Sequence, residues 1–429
     1  MQKIKLSDAL TLGFALFAMF FGAGNLIFPP YLGYTSGDNW FIGFLCFITA
    51  DAVLSLVALF VIAKVGHGIS GITEVLGNKL SKLYLALACL CIGPFIAIPR
   101  TGAITYEIGV RPLMGCCSSF LVTGIFFLIC LVLSIRRAKV VDVIGRFLSP
   151  LMFIALLVLI AKGIIHPIGN ESVASDLTQV IKDGVVSGYQ TMDMMGAAVL
   201  SMAIVFEITN KGYRDSISQF KIITLAGIVS ALLLFIVYGG LAKLGDTAAG
   251  VYPPGLTQTE LLTKITWDIL GKTGLIILAV IVGSACLTTA IGLLTSVSSY
   301  FSELVNNKIK YEVFVVIFTV FSWIISNFGI STIISIAAPI LEIMYPVLIV
   351  LTGLRLFASY IGDTMIYRLP ALVTVIVSAL STIGSLIGVS PGTDHLPLAS
   401  LGFEWVLPAI LSVIIAVFIS AARKKKINK

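Results

Sequence analysis

The chain has 429 residues, of which 58% are hydrophobic and 11% charged, against roughly 25% charged in a soluble domain. Apolar runs of about 18 residues or more recur from end to end, each long enough to cross a bilayer. This excludes a soluble enzyme, and the net charge of +7 marks no nucleic-acid surface, because the Lys and Arg residues flank apolar runs instead of forming a basic helix with interleaved aromatics.

The reading is an all-α polytopic membrane protein with about twelve spans, at 8–32, 38–63, 82–107, 115–134, 141–163, 188–210, 220–243, 273–303, 312–328, 331–355, 366–388 and 403–422. The opening "MQKIKLSDAL" and the run after it resemble a secretory leader. The run is too long, however, and has a Gly/Pro break where cleavage needs small residues, so a retained first span is expected. With a cytoplasmic N-terminus, inside segments carry about 21 Lys and Arg, including Lys64, Lys211, Arg355 and the "RKKK" of 423–426, and outside segments about 6, such as Arg111, Lys162 and Lys272. The positive-inside rule then places both termini in the cytoplasm. Between spans seven and eight, "TQTELLTKITWDILG" has Leu261, Leu262, Ile265 and Ile269 at helical spacing after Pro253-Pro254, and it reads as an amphipathic outer helix. "NESVASDLTQVIKDGVVSG", before span six, is a weaker candidate of the same kind.

Span one is interrupted by "FFGAGNLIFPP", 20–30. Irregular backbone at membrane depth is tolerated only where protein or a water-filled cavity receives it. Gly22 and Gly24 let the chain leave helical geometry at little steric cost. The second half-helix then offers free N–H groups and a positive dipole end to an anion, while carbonyls freed at the end of the first half suit a cation. Asn25 carries a donor and an acceptor and can serve either ligand. A glycine-kinked helix packed closely on a neighbour is the plainer alternative.

Span three contains Arg100 in "GPFIAIPRTGAITYEIGV", costly in a membrane unless paired or wet. It reads as a substrate or gate contact, or as half of an ion pair with Glu107, two turns away, or with a carboxylate on another span. Span six holds Gln190, Asp193, Gly196 and Ser201, and "GAAVLS" (196–201) is its most permissive place for a second break. In span eight Thr288 and Thr289 follow Ser284, which suits either a small cation or helix–helix hydrogen bonding. Asp51 in span two and Glu342 in span ten are intramembrane acids, each a functional candidate or a buried structural group.

Other matches are set aside. "GHGISG" (66–71) fits a dinucleotide glycine pattern but lies between membrane spans, without the strand–helix context. The seven cysteines and three histidines have no zinc spacing. No P-loop and no nucleophile–base–acid set occur, so no enzymatic activity and no cofactor are expected.

Taken together, "LFAMFFGAGNLIFPPYLG", "GPFIAIPRTGA", "GYQTMD" and "ACLTTAIGLLTSVSSYF" resemble the branched-chain amino acid:cation symporters, the bacterial system II carriers. The resemblance runs from the first span to the last. It implies uptake of leucine, isoleucine and valine with sodium across the bacterial inner membrane. It also implies the inverted-repeat fold of the bacterial leucine transporter: two five-helix repeats, 8–163 and 188–355, and two added helices, 366–422, with spans one and six broken at the midplane. "GAGN" matches the G-x-G-N break of that transporter. By this match the N–H groups of Ala23 and Gly24 hold the substrate carboxylate, with Gly22, Gly196 and Arg100 lining the substrate site. Asn25 and the Phe20 carbonyl hold one sodium. A second uses the carbonyls of Ala18 and Phe21 with the hydroxyls of Thr288 and Thr289. A proton-coupled or uncoupled exchanger of another small zwitterion is the alternative, with Asp51 or Asp193 carrying the proton.

Overall fold

A computed structural model describes residues 4–65, 70–115, 117–135, 140–169, 173–197, 208–209, 211–213, 215–389 and 392–427. Regular structure among them is helical throughout. In hydrocarbon the backbone must satisfy its own N–H and C=O groups, and a helix does so within one segment. Seven helical runs are long and apolar enough to cross a membrane: 23–65, 78–114, 217–248, 258–304, 330–356, 365–387 and 406–423. Four shorter apolar helices join them, at 6–20, 119–135, 150–165 and 311–326.

In chain order the main helices are α1 (Leu6–Phe20), α2 (Ala23–Ser36), α3 (Trp40–Ile48), α4 (Leu54–Val65), α5 (Asn78–Leu90), α6 (Ala97–Ile104), α7 (Ser119–Ile135) and α8 (Val140–Ile165). They continue with α9 (Leu177–Thr191), α10 (Ser216–Ala248), α11 (Gln258–Leu304), α12 (Tyr311–Ser326), α13 (Ile330–Leu356), α14 (Met365–Ile387) and α15 (Val406–Ile427). The outer faces expose large apolar side chains such as Leu121, Ile154, Leu232 and Phe418, as lipid contact requires.

Two interruptions and one insertion shape the interior. Span one is two helices, α1 and α2, separated at Phe21 and Gly22. Span six begins earlier than expected, because α9 starts at Leu177, behind the Asp176 cap that accepts from the Thr178 N–H, and ends at Thr191. The proposed outer-loop helix is therefore the first half of span six. The break is at Met192, in left-handed geometry at φ 64° and ψ 16°; helix resumes over 193–197, and of the expected break at 196–201, residues 198–201 lie outside the described residues. The outer helix before span eight is present as the first part of α11. Thr257 and Glu260 cap it reciprocally, and Gly271, at φ 64°, turns it into the span proper. Hydrogen bonding from Thr257 holds the Glu260 carboxyl below its usual range.

Backbone contact locks α2 against α10. A Cβ at Gly33 would lie 1.8 Å from the Ala242 carbonyl oxygen, and one at Gly245 would lie 1.8 Å from that of Pro30. Gly184 and Gly188 likewise seat α9 on the Gly43 and Phe47 carbonyls of α3. Small residues permit this approach where dispersion has to drive helix association. At the chain's end, α14 packs between α13 and α15.

Candidate functional site

The site begins where the α1 hydrogen-bond ladder stops. Phe21 N–H still reaches the Phe17 carbonyl at 2.7 Å, but Gly22 N–H turns to the Phe20 carbonyl at 2.9 Å. The Ala18 carbonyl thereby loses the donor that a continuous helix would supply. Gly22 caps α2 with no side-chain hydrogen bond, so the N–H groups of Ala23 and Gly24 have no partner within the helix. One and two residues beyond Asn25's turn, Pro29 and Pro30 have no N–H to return to the Asn25 and Leu26 carbonyls.

Gly22 is extended, at φ −101° and ψ −170°, a geometry open to any residue. Its role in the break is therefore smaller than the sequence suggested. At Gly24 space is tight: a Cβ there would lie 3.1 Å from Arg100 Nη2 and 3.2 Å from Phe28, so these side chains would have to yield by a few tenths of an ångström. The Arg100 guanidinium thus leans on the first turn of α2, 5.7 Å from the centre of the Phe28 ring. It is 3% exposed, and Nη1 donates to the Gln190 carbonyl at 2.7 Å, at the C-terminal end of α9 where a cation is favoured. Arg100 and Glu107 do not pair with each other.

Asn25 and Asp51, each 1% exposed, meet below this arginine. The Asn25 amide nitrogen lies 3.2 Å from Asp51 Oδ2, 2.8 Å from Asp193 Oδ2 and 2.6 Å from Tyr238 Oη. Two N–H groups face three acceptors. Asp51 Oδ1 accepts from Thr191 at 2.7 Å. Asp51 sits on a π-helical segment, Thr49–Val53, an irregularity that often accompanies function. The break in span six aims Thr191 and Asp193 at this point. The structure therefore joins Asn25, Asp51, Arg100, Gln190 and Asp193, and adds Thr191, Tyr238 and the buried Tyr345, whose ring stacks on Tyr189 with centroids 4.6 Å apart.

Other candidates are less converged. Asn25 Oδ1 is turned back toward Gly22, where a cation would meet it. The Phe20 carbonyl already accepts one hydrogen bond and keeps its second lone pair. Thr288 donates to the Ser284 and Ala285 carbonyls of its own helix, at 3.2 and 3.0 Å. Its helix, α11, packs on α2, while α1, which carries Ala18, packs on α10 and α8. Gly196 has open space beside it. Glu342 stands away from the cluster, facing Lys182 and Glu404.

Polar ties also join elements away from the cluster. On one side Glu107 accepts from Thr259 Oγ1 at 2.6 Å and from Ile330 N at 3.1 Å, joining span three, the outer helix and the start of α13. On the other, Asp8 accepts from the Tyr213 hydroxyl at 2.8 Å and lies 3.9 Å from Lys211 Nζ.

A family model described as branched-chain amino acid transport protein matches residues 5–423. The branched-chain amino acid permease BraB of Bacillus subtilis is 34% identical over 428 residues, spanning 96% of this chain and 96% of that protein. The branched-chain amino acid transport system 2 carrier protein of Pseudomonas aeruginosa is 32% identical over 425 residues, 97% of each. Among solved structures, a substrate-bound, outward-open Na+-coupled sialic acid symporter aligns at TM-score 0.63 and 16% identity, covering 96% of this chain and 89% of that one. Inward-facing Mhp1 aligns at TM-score 0.60 and 16% identity, covering 97% and 91%. These two likenesses establish a shared, leucine-transporter-like fold.

Proposed function

The chain belongs to the branched-chain amino acid transport protein family, and we propose that it imports leucine, isoleucine and valine together with sodium across a bacterial inner membrane. It is a carrier and not an enzyme. The observation that carries the reading is the set of free N–H groups at Ala23 and Gly24, with the Arg100 guanidinium laid against them. A helix N-terminus and a buried guanidinium repel each other unless an anion lies between, and the substrate's carboxylate is that anion. The branched side chain fills an apolar space, and one methylene there is worth roughly 1–3 kcal/mol. Leucine, isoleucine and valine therefore compete.

Sodium binds first at Asn25 and the Phe20 carbonyl. A second sodium uses the Ala18 and Phe21 carbonyls with Thr288 and Thr289. The twelve spans form two inverted five-helix repeats, 8–163 and 188–355 extended back to 177, with 366–422 added and both termini cytoplasmic. Access alternates as one helix bundle rocks against the other around the site. Na+-coupled transport by the sialic acid symporter of the same fold supports the choice of ion.

A second reading, coupling to protons or exchange without coupling, is favoured by the two carboxylates beside Asn25. Labelled leucine uptake into proteoliposomes separates the two. Uptake driven by a sodium gradient, absent in a matched potassium control and competed by isoleucine and valine, is expected. Equal uptake with a pH gradient and no sodium would transfer coupling to a carboxylate.

A further inference from the structure

The two carboxylates of the cluster are not equivalent. Asp51 is enclosed and receives hydrogens from Thr191 on Oδ1 and Asn25 on Oδ2, so its charge is met by the protein. Asp193 is half-buried, and Asn25 is its one hydrogen-bond donor, through Oδ2. Asp193 lies three residues beyond Gln190, whose carbonyl Arg100 holds, so the carboxylate and the guanidinium flank the same break in span six. Even so, Asp193 and Arg100 do not close to an ion pair; among the described residues the acid–base contacts are Asp8 with Lys211, Asp246 with Lys243 and Glu74 with Arg355. Arg100 uses one of its five N–H donors, on the Gln190 carbonyl. The Tyr345 hydroxyl, 0% exposed on a ring stacked against Tyr189, has no well-formed hydrogen bond, and the Gln190 side-chain oxygen is also buried without one.

A buried guanidinium and a half-buried carboxylate in one cluster that do not touch, beside buried polar atoms without partners, suit a guest that carries both charges. Resting on the reading of the chain as an amino acid carrier, we propose that Asp193 is the partner of the substrate's α-ammonium group and that Arg100, with the α2 N–H groups, is the partner of its carboxylate. Asp51 is a positioning residue, holding Asn25 and Thr191 so that Asp193 keeps its place. The charges at Asp193 and Arg100 are then complementary to a zwitterion, and removing either charge from the ligand leaves a buried protein charge unmet.

The test is equilibrium binding to the full-length protein in nanodiscs, in saturating sodium. Labelled leucine is displaced by unlabelled leucine or by 2-hydroxy-4-methylpentanoate, which keeps the carboxylate and side chain but lacks the ammonium. Labelled sodium binding without amino acid is measured in parallel. Wild type is expected to prefer leucine by about 100-fold, the size seen when one partner of a buried charge pair is truncated. Asp193→Asn is expected to weaken leucine by a similar factor and the hydroxy acid by less than about threefold, with sodium binding unchanged. Equal wild-type affinity for the two ligands would overturn the pairing, with no variant needed, and leave the carrier reading intact. An equal loss of both ligands in Asp193→Asn would make Asp193 a structural group. Loss of sodium binding with an unchanged ligand ratio would make it a ligand of the coupling ion. Wild type that binds neither ligand would overturn both the proposal and the substrate reading.

Discussion

Spans one and six are both broken at the site, but by different means. In span one the break is written in composition. Gly24 leaves space into which the Arg100 and Phe28 side chains reach, and Pro29 and Pro30 free two carbonyls in the following turn. In span six the chain turns at Met192, in left-handed geometry that costs an ordinary residue about 1–2 kcal/mol, and no glycine or proline marks the spot. The surroundings supply the constraint: Thr191 is held by Asp51, and Asp193 by Asn25. One break is imposed by local sequence, the other by tertiary contacts that override it. Strain of the second kind is typical of functional sites.

The largest test of this contrast is Gly24→Leu. Its side chain has to displace Arg100, so transport is expected to fall below about 1% of wild type while the protein still reaches the membrane. Near-normal leucine uptake would separate Arg100 from the substrate path. Next is Asn25→Ala, which removes the donor shared by both carboxylates and so touches both breaks at once. Loss of hydrogen bonds to charged groups predicts uptake reduced by about 10- to 100-fold, measured as initial rates in proteoliposomes of matched protein content. A smaller change is expected from Thr288→Ala combined with Thr289→Ala. The sodium concentration for half-maximal uptake should rise by up to about tenfold, whereas an unmoved sodium curve would leave these hydroxyls as internal helix contacts. The smallest effects sharpen the comparison itself. Gly22→Ala, in extended backbone with only Asn25 Oδ1 nearby at 3.7 Å, is expected to keep uptake within about twofold of wild type. Met192→Gly should lose less stability on thermal unfolding than Met192→Ala, because both remove a side chain that is 2% exposed and only glycine adopts the left-handed geometry without strain.

Much of the architecture was legible because membrane spans leave a long apolar signal. Helix runs through most of every expected span where residues are described, and the outer helix declared itself through Pro253-Pro254 and helical spacing. The start of span six was not legible, because α9 opens with polar residues such as Gln179, Lys182 and Asp183, which read as an external loop. The site was half legible. Asn25 and Arg100 stood out because amide and guanidinium groups are costly in hydrocarbon. Asp51 and Asp193 were visible as acids, but their convergence on a single amide depends on how α2, α3, α9 and α10 pack. Tyr238 and Tyr345 were missed. A tyrosine in an apolar run is ordinary, and only the fold shows which hydroxyl points inward. Thr191 had one available signal, its position two residues before Asp193.

The contact between α2 and α10 has a consequence for how damage to the protein will be distributed. At Gly33 and Gly245 the neighbouring carbonyl leaves no room for even a methyl group, so alanine, elsewhere the mildest of replacements, must push the two helices apart. Neither glycine belongs to the polar cluster. A complete survey of substitutions would therefore trace inactivating positions as a seam running along the length of two helices, in addition to a patch around Asn25.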